Sequence, residues 1–357
     1  MVTPKFVNVQ GSTFHQELKR RVNNYFVENK KPLTGNFSLY FKAVLFWTCY
    51  IALYVHVVFY TPASWFAILE CLVMGGLTAG IGFNVMHDGG HGSFSPSKTW
   101  NKIAAFSANA LGASAIMWNN KHNIVHHTYT NIDGVDDDIE IKPLLRMCPT
   151  QKKYKIHRFQ HIYVWVLYTL LLIVWLFISD YKKYFTQKVG DVPLKPMSAY
   201  DHFAFWAAKV GYAFMMIAFP IYLLGFVSWM VGFLVLTLFA GFVLSIVFQL
   251  AHTVEETAFP VAAIESNKIE NEWAIHQIET TANFATKNKL ISWLVGGLNF
   301  QIEHHLFPKI SHIHYPAISK IIKNTCEEFN VKYIEYKKMR HAIASHSIYL
   351  RKMGRAD

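Results

Sequence analysis

Residues 210–254 read VGYAFMMIAFPIYLLGFVSWMVGFLVLTLFAGFVLSIVFQLAHTV, without a single Lys, Arg, Asp or Glu. As a continuous helix at about 1.5 Å per residue the stretch would run about 67 Å, twice what about 30 Å of hydrocarbon requires. Pro220 and Gly225 stand near its middle, where a helical hairpin would turn. A second stretch, Ala43 to His87, carries Glu70 as its only formal charge and breaks at Thr61-Pro62-Ala63-Ser64. Each stretch predicts two membrane crossings. Composition agrees, since 52% of the residues are hydrophobic and only 16% are charged, against roughly 25% charged in soluble domains.

A further apolar run, Phe159–Ser179, is long enough to cross as well. Lys152, Lys153, Lys155 and Arg158 precede it, and Lys182, Lys183 and Lys188 follow it. Basic flanks at both ends place both on the cytoplasmic side, so the run is expected to be interfacial or re-entrant. The predicted fold is an all-α integral membrane protein: four transmembrane helices in two hairpins, interfacial helices, and a cytoplasmic helical cap. N-terminus, C-terminus and active site then lie on the cytoplasmic side. The organisation expected is an interfacial segment 1–38, a membrane domain 39–320, and a basic tail 321–357.

Residues 1–38 hold no sizeable apolar run, so no secretory signal is expected. Instead Thr13-x-x-Gln16 resembles a capping box, and Phe14, Leu18, Val22 and Tyr25 recur at helical spacing among Lys19, Arg20 and Arg21. This predicts an amphipathic helix that either rests on the membrane surface or packs as a soluble helix. The cysteines Cys49, Cys71, Cys148 and Cys326 form no C-x-x-C pair and predict neither disulfide framework nor thiolate site. Gly76-x₃-Gly80, with Gly75 and Gly82 nearby, predicts close helix approach just before the first histidine cluster. Glu70 is either an intramembrane functional acid or a group reaching the head-group layer.

Three histidine clusters follow this frame: His87-x₃-His91, His122-x₃-His126-His127, and Gln301-x₂-His304-His305. His252 ends the last apolar run. Among 18 histidines roughly one His-His and one His-x₃-His would arise by chance, so context has to decide. His157-x₃-His161 and His341/His346 sit beside Arg158 and Arg340 with no third histidine and read as interfacial or surface residues. By contrast His87 and His252 each end an apolar run, on the same predicted membrane face. His87, His91, His122, His126, His127, His252, His304 and His305 exceed what one tetrahedral zinc can use, which predicts a two-metal centre.

Imidazole donors suit iron, copper and zinc. No Glu-x-x-His occurs, which excludes the carboxylate di-iron pattern, and no His-Glu-x-x-His, which excludes the zinc metalloprotease pattern. Two iron ions that activate oxygen against a lipid C–H bond fit the set best. Asp88, Glu303 and the run Asp136-Asp137-Asp138 are candidates to orient the rings, the run having a solvated loop as its alternative.

These boxes resemble the membrane fatty acid desaturase family, over roughly residues 40–320. His122-Asn123-Ile124-Val125-His126-His127 corresponds to its H-x-x-x-H-H box, and Gln249-Leu250-Ala251-His252 is similar to its extra ligand after the fourth span. The resemblance implies that the eight histidines bind two irons, which use O₂ and two electrons to leave a cis double bond in an acyl chain. Gln301 in place of histidine resembles the front-end members (Δ5 and Δ6 types among them), which act between an existing double bond and the carboxyl end. Gln301 would be a weak ligand, hold a water or orient a neighbour. His276, in Trp273-Ala274-Ile275-His276-Gln277, either fills that gap as a further catalytic residue or is an ordinary buried histidine.

No His-Pro-Gly-Gly motif of a fused cytochrome b5 domain occurs, so a separate donor such as cytochrome b5 or a ferredoxin is the expected partner. The basic face suits an acidic carrier. The remaining partners expected are a fatty acyl substrate, as acyl-CoA or membrane lipid, and the surrounding lipids; no nucleic acid is expected. Trp118, Trp273, Phe284, Trp293 and Phe300 either line an acyl tunnel or simply pack. Lys332, Lys337, Lys338, Arg340, Arg351 and Lys352 suit coenzyme A phosphates or anionic head groups. The rival readings are a di-iron lipid hydroxylase and a non-catalytic membrane metal-binding protein.

Overall fold

The computed structural model describes residues 3–7, 13–263 and 265–356. It is mostly helical, with four helices long and apolar enough to cross a membrane: Phe37–Tyr60, Ser64–His91, Ala199–Leu224 and Phe226–His252. Asn36 caps the first by accepting from Leu39 N, and a Ser198/Asp201 capping box starts the third. The first two are separated by Thr61-Pro62-Ala63, with Thr61 left-handed at φ 43°. Gly225, at φ 79°, separates the last two.

Two of these helices start earlier than charge alone suggests, because their lysines are buried with partners. Lys42 Nζ donates to Trp293 O at 3.2 Å. Lys209 Nζ meets Asp180 Oδ2 at 2.8 Å and Gly112 O at 2.7 Å. The second and fourth helices pack together, and the glycine that permits this is Gly75, whose Cβ would lie 2.6 Å from Leu236 O. Gly80 serves the first helix, against Phe46. The close helix approach expected of this glycine group is therefore made by Gly75 and Gly80, while Gly76 and Gly82 have ordinary room. Glu70 is buried, with Oε1 at 2.8 Å from His56 Nδ1, so it ties the first two helices together rather than reaching outward.

The run Phe159–Ser179 lies within a bent pair, Lys155–Thr169 and Leu171–Thr186, with 60° between its limbs. Helix Met339–Arg355 packs along the first limb, where Gln160 Nε2 donates to Leu350 O at 2.8 Å and Tyr349 OH to Met147 O at 2.7 Å. The expected tail is therefore docked structure, and residue 321 falls inside helix Tyr315–Glu328. His157 and His346, expected as interfacial or surface residues, are buried within the protein. His157 Nε2 donates to Pro143 O at 2.8 Å, and His346 Nε2 is 2.7 Å from Tyr168 OH. They hold the C-terminal helix and its neighbours in place.

The N-terminal helix Phe14–Glu28 does not lie with its apolar face on a membrane surface. Phe14, Leu18, Val22 and Phe26 are buried in one cluster with Ile318 and Ile322 of helix Tyr315–Glu328. Arg21 adds a two-pronged contact to Glu328 at 2.8 and 2.5 Å. Apolar repeats in a helix state only that the face needs cover, and here protein supplies it. Short two-residue β pairings, such as Lys5–Phe6 with Lys268–Ile269 and Asn283–Phe284 with Glu335–Tyr336, tie distant loops of the cap together.

Candidate metal centre

The second long helix ends in the first box. A π-turn, Gly82–Met86, precedes it, and His87 and His91 then stand one turn apart on the same face. Gly89 and Gly90 between them are required by contact: a Cβ on Gly89 would lie 2.5 Å from Ala105 N, and one on Gly90 would strike the Trp118 ring. Ser114 starts the second box segment by accepting from Met117 N. That segment widens into a π-helix over Asn120–His126, a departure frequent at functional sites. His252 is the last residue of the fourth long helix, and Gln301–Leu306 is a short buried helix of the cap.

These four segments bring together the eight predicted histidines. Among the described residues their donor atoms fall into three close all-histidine sets, His87, His91, His122 and His304; His126, His252 and His305; and His127, His304 and His305; a fourth set joins His122 and His126 to Asp138. Ring centroids stand 4.4 Å apart for His87–His304, 4.5 Å for His127–His305 and 4.8 Å for His126–His252. Four rings are held through Nδ1. His126 faces Asp136 at 3.1 Å, His252 faces Thr280 O at 3.2 Å, His304 faces Tyr315 OH at 3.1 Å, and His305 faces Gln277 Oε1 at 2.8 Å.

The opposite nitrogens are the informative ones. Nε2 of His91, His252, His304 and His305 is buried without a hydrogen-bond partner, and His122 Nε2 lies 3.1 Å from His87 Nε2 and 3.2 Å from His127 Nε2. Buried polar atoms are almost always satisfied, so several orphans pointing into one space mark a place for cations. Burial holds His122, His127, His304 and His305 well below the usual imidazole range, which keeps them neutral and able to donate a lone pair. His126 is the exception: burial pulls it down, but Asp136 and Asp138 facing it raise it overall.

The acids divide by role. Asp136 is buried, orients His126 and also accepts from Asn131 N at 2.9 Å. Asp138 pairs with Lys121 at 2.5 Å, and Asp137 with Lys183 at 3.1 Å. Asp88 orients no box histidine in this structure. It accepts from Ser311 Oγ at 2.7 Å and His312 Nδ1 at 3.0 Å, which fastens the first box to the cap. Glu303 points to Asn283 and Tyr333, 2.7 and 2.8 Å away, and burial pushes its carboxyl up to about 7.

Gln301 is buried at the first turn of the third box, its Nε2 without a partner. His276 is buried edge-on to Phe6 at 5.0 Å and belongs to none of the three histidine sets; burial lowers it to about 4. Its neighbour Gln277 reaches the site instead. Within Trp273–Gln277 it is thus the amide, which carries no metal-ligand signal, and not the expected imidazole that touches a box histidine. Tyr315 and the Thr280 carbonyl carried no motif signal either.

Two cavities adjoin the centre, of about 100 and 30 Å³. His122 lines the first, together with Lys121, Asp138, Asp180 and Lys183. His87 lines the second, which is otherwise apolar and includes Thr78, Gly82, Leu111 and Leu244. Of the five aromatic residues expected around a tunnel, only Trp118 lines these cavities. Trp273 Nε1 donates to His127 O at 3.0 Å, Phe284 and Phe300 are core, and Trp293 packs on Phe46.

A sequence profile described as Fatty acid desaturase matches residues 63–337. The chain belongs to that family, and is an oxidoreductase acting on fatty acyl chains. Among similar proteins is the sn-1 linoleoyl-lipid 6-desaturase of Synechocystis sp., 36% identical over 99% of this chain and 98% of its own length. The sn-1 linoleoyl-lipid 6-desaturase of Arthrospira platensis is 35% identical over 96% and 92%, respectively. The Acyl-lipid (8-3)-desaturase of Physcomitrium patens is 34% identical over 99% of this chain and 74% of its own.

Proposed function

We propose that this protein is a membrane front-end desaturase that places a cis double bond in a lipid-linked acyl chain, between an existing double bond and the carboxyl end. The observation that carries the reading is the convergence of eight imidazoles, seven buried and His91 half-buried, four of them with an orphaned Nε2, beside a largely apolar cavity. His87, His91, His122, His126, His127, His252, His304 and His305 would hold two irons, whose chemistry is to remove two hydrogens from the chain with O₂ and two electrons. Gln301, buried in the same helix as His304 and His305, is assigned to steady that set.

The chain's own residues supply position and exclusion. Asp136, Gln277, Tyr315 and the Thr280 carbonyl fix four rings in one tautomer each. The apolar cavity walls strip water from the acyl segment beside His87 and His122, so that segment is the one presented to oxidation. Lys121 and Lys183, at the charged side of the first cavity, suit the ester end of the substrate.

The four long helices form two hairpins, with the histidines, both termini and the basic flanks on the cytoplasmic side. The bent pair would enter and leave by that same side. An acidic single-electron carrier would dock on the basic face, where Lys337, Lys338, Arg340 and Arg351 are exposed. The relatives' names, two linoleoyl-lipid and one acyl-lipid desaturase, favour a lipid-bound substrate over a coenzyme A ester.

The test is expression in a host fed oleate, linoleate and α-linolenate, with double bonds located by mass spectrometry. A new double bond on the carboxyl side of an existing one is expected, and it should vanish in His304→Ala. Stable, iron-loaded protein that leaves the lipids unchanged with a working donor, or that adds a hydroxyl instead, overturns the proposal.

A further inference from the structure

The two cavities beside the histidines are separated by three side chains that line both: Trp118, Trp175 and Phe248. Two of the three belong to the centre's own packing. Trp118 stacks on His122 at 4.6 Å and is backed by Gly90. Phe248 lies 6.3 Å from His122 and 5.9 Å from Phe83. Neither can shift without moving a box.

Trp175 comes from elsewhere. It opens the π-turn Trp175–Ser179 in the second limb of the bent pair, and among the described residues its ring meets no histidine ring. Its Nε1 donates to Asp180 Oδ1 at 3.0 Å. The other oxygen of Asp180 takes Lys209 Nζ at 2.8 Å, and Lys209 also donates to Gly112 O at 2.7 Å. A buried ion pair reaching in from the third long helix therefore sets how far this indole projects between the cavities. Single polar side chains rarely keep such an arrangement in apolar surroundings unless every group is partnered, and here each one is.

We propose that Trp175 is the specificity-determining residue that fixes which carbons of the acyl chain face the metal centre. This rests on the desaturase reading and extends it. An acyl chain with its ester end near Lys121 and Lys183 would reach the apolar cavity past the wall that Trp118, Trp175 and Phe248 share. The indole thus fixes the count of carbons lying between the ester and His122. The apolar cavity beyond, bounded by Thr78, Gly82 and Leu244, limits the length of the remaining tail. The position of oxidation is then measured from the carboxyl end, and tail length is gauged separately.

The experiment compares wild type, Trp175→Leu, Trp175→Phe and Gly82→Ala in the lipid-feeding assay, reading double-bond position and chain length of each product. Trp175→Leu should relax positional preference by roughly 10-fold or more, since one pocket group discriminates by that order, giving a second positional isomer. Trp175→Phe should show a smaller shift in the same direction, because it keeps a ring but loses the bond to Asp180.

Gly82→Ala is accommodated, its Cβ 3.9 Å from Leu244 Cδ2. It should disfavour longer tails while leaving the position unchanged. If Trp175→Leu does not accumulate, Trp175→Phe alone decides position. A single wild-type isomer from every accumulated Trp175 variant overturns the proposal, as does Gly82→Ala moving the double bond. A wild type that forms no double bond refutes the desaturase reading itself, which is a different result.

Discussion

Replacing Gln277 by leucine removes the oxygen that faces His305 Nδ1 at 2.8 Å and Thr130 Oγ1 at 3.0 Å. Gln277 is fully buried, so water cannot take its place. His305 Nδ1 then keeps only Thr130 Oγ1, at 3.4 Å, and a buried donor that loses its good partner costs about 1–3 kcal/mol. The penalty falls on the ring that should present Nε2 to the metal, and loss of such an orienting partner weakens metal binding about 10- to 100-fold. The adjacent residue provides the contrast. His276→Leu removes an imidazole that lies outside every histidine set, and the change is close to volume-conserving, with an expected stability effect below about 1.5 kcal/mol.

The assay is iron retained per chain, measured by elemental mass spectrometry across a chelator series, on protein of matched monodispersity. Gln277→Leu should lose iron at 10- to 100-fold lower chelator activity, Gln277→Glu should retain it, and His276→Leu should match wild type. Iron loss in His276→Leu together with wild-type retention in Gln277→Leu would refute the assignment of these two neighbours.

Chelation should lower the midpoint of thermal unfolding and iron readdition should restore it, since a ligand bound only by the folded state stabilises by mass action. In the metal-free protein that midpoint should also fall as pH drops below about 6.5. Unfolded imidazoles take up protons there, while His122, His127, His304 and His305, held low by burial, do not. Glu303 acts in the opposite sense: folded at about 7 against 4.5 unfolded, it contributes stability present below pH 4.5 and lost as pH rises through 7, so Glu303→Gln should flatten that upper fall. For the N-terminal helix, Leu18→Ala should destabilise docking by about 2–5 kcal/mol and expose residues 14–28 to limited proteolysis. Arg21→Ala should cost no more than about 1 kcal/mol, because its partner Glu328 is largely exposed.

What could be seen in the chain beforehand follows from how each signal is written. The four long helices are stated by unbroken hydropathy, which needs no partner to be meaningful. The histidines were visible because His87/His91 and His122/His126 stand at spacing four, His126/His127 and His304/His305 stand side by side, and His252 ends an apolar run. Their orienting partners were not visible. Gln277, Tyr315 and the Thr280 carbonyl act through contacts to residues 28, 11 and 28 positions away in sequence, and a lone amide or hydroxyl carries no periodicity.

Two of the long helices begin before a lysine that hydropathy alone would set as their boundary. Lys42 and Lys209 are neutralised or hydrogen-bonded by segments distant in the chain, and hydropathy cannot foresee that. The same blindness explains Trp175. Nothing marks it among the aromatic residues of an apolar run. Only the Lys209–Asp180 pair, formed between two helices, aims its indole between the cavities. Charges that look like interruptions of an apolar helix here hold a side chain in the wall between two cavities. If Lys209→Met accumulated as stable protein and left the positional outcome unaltered, that link between buried charge and product position would have to be abandoned.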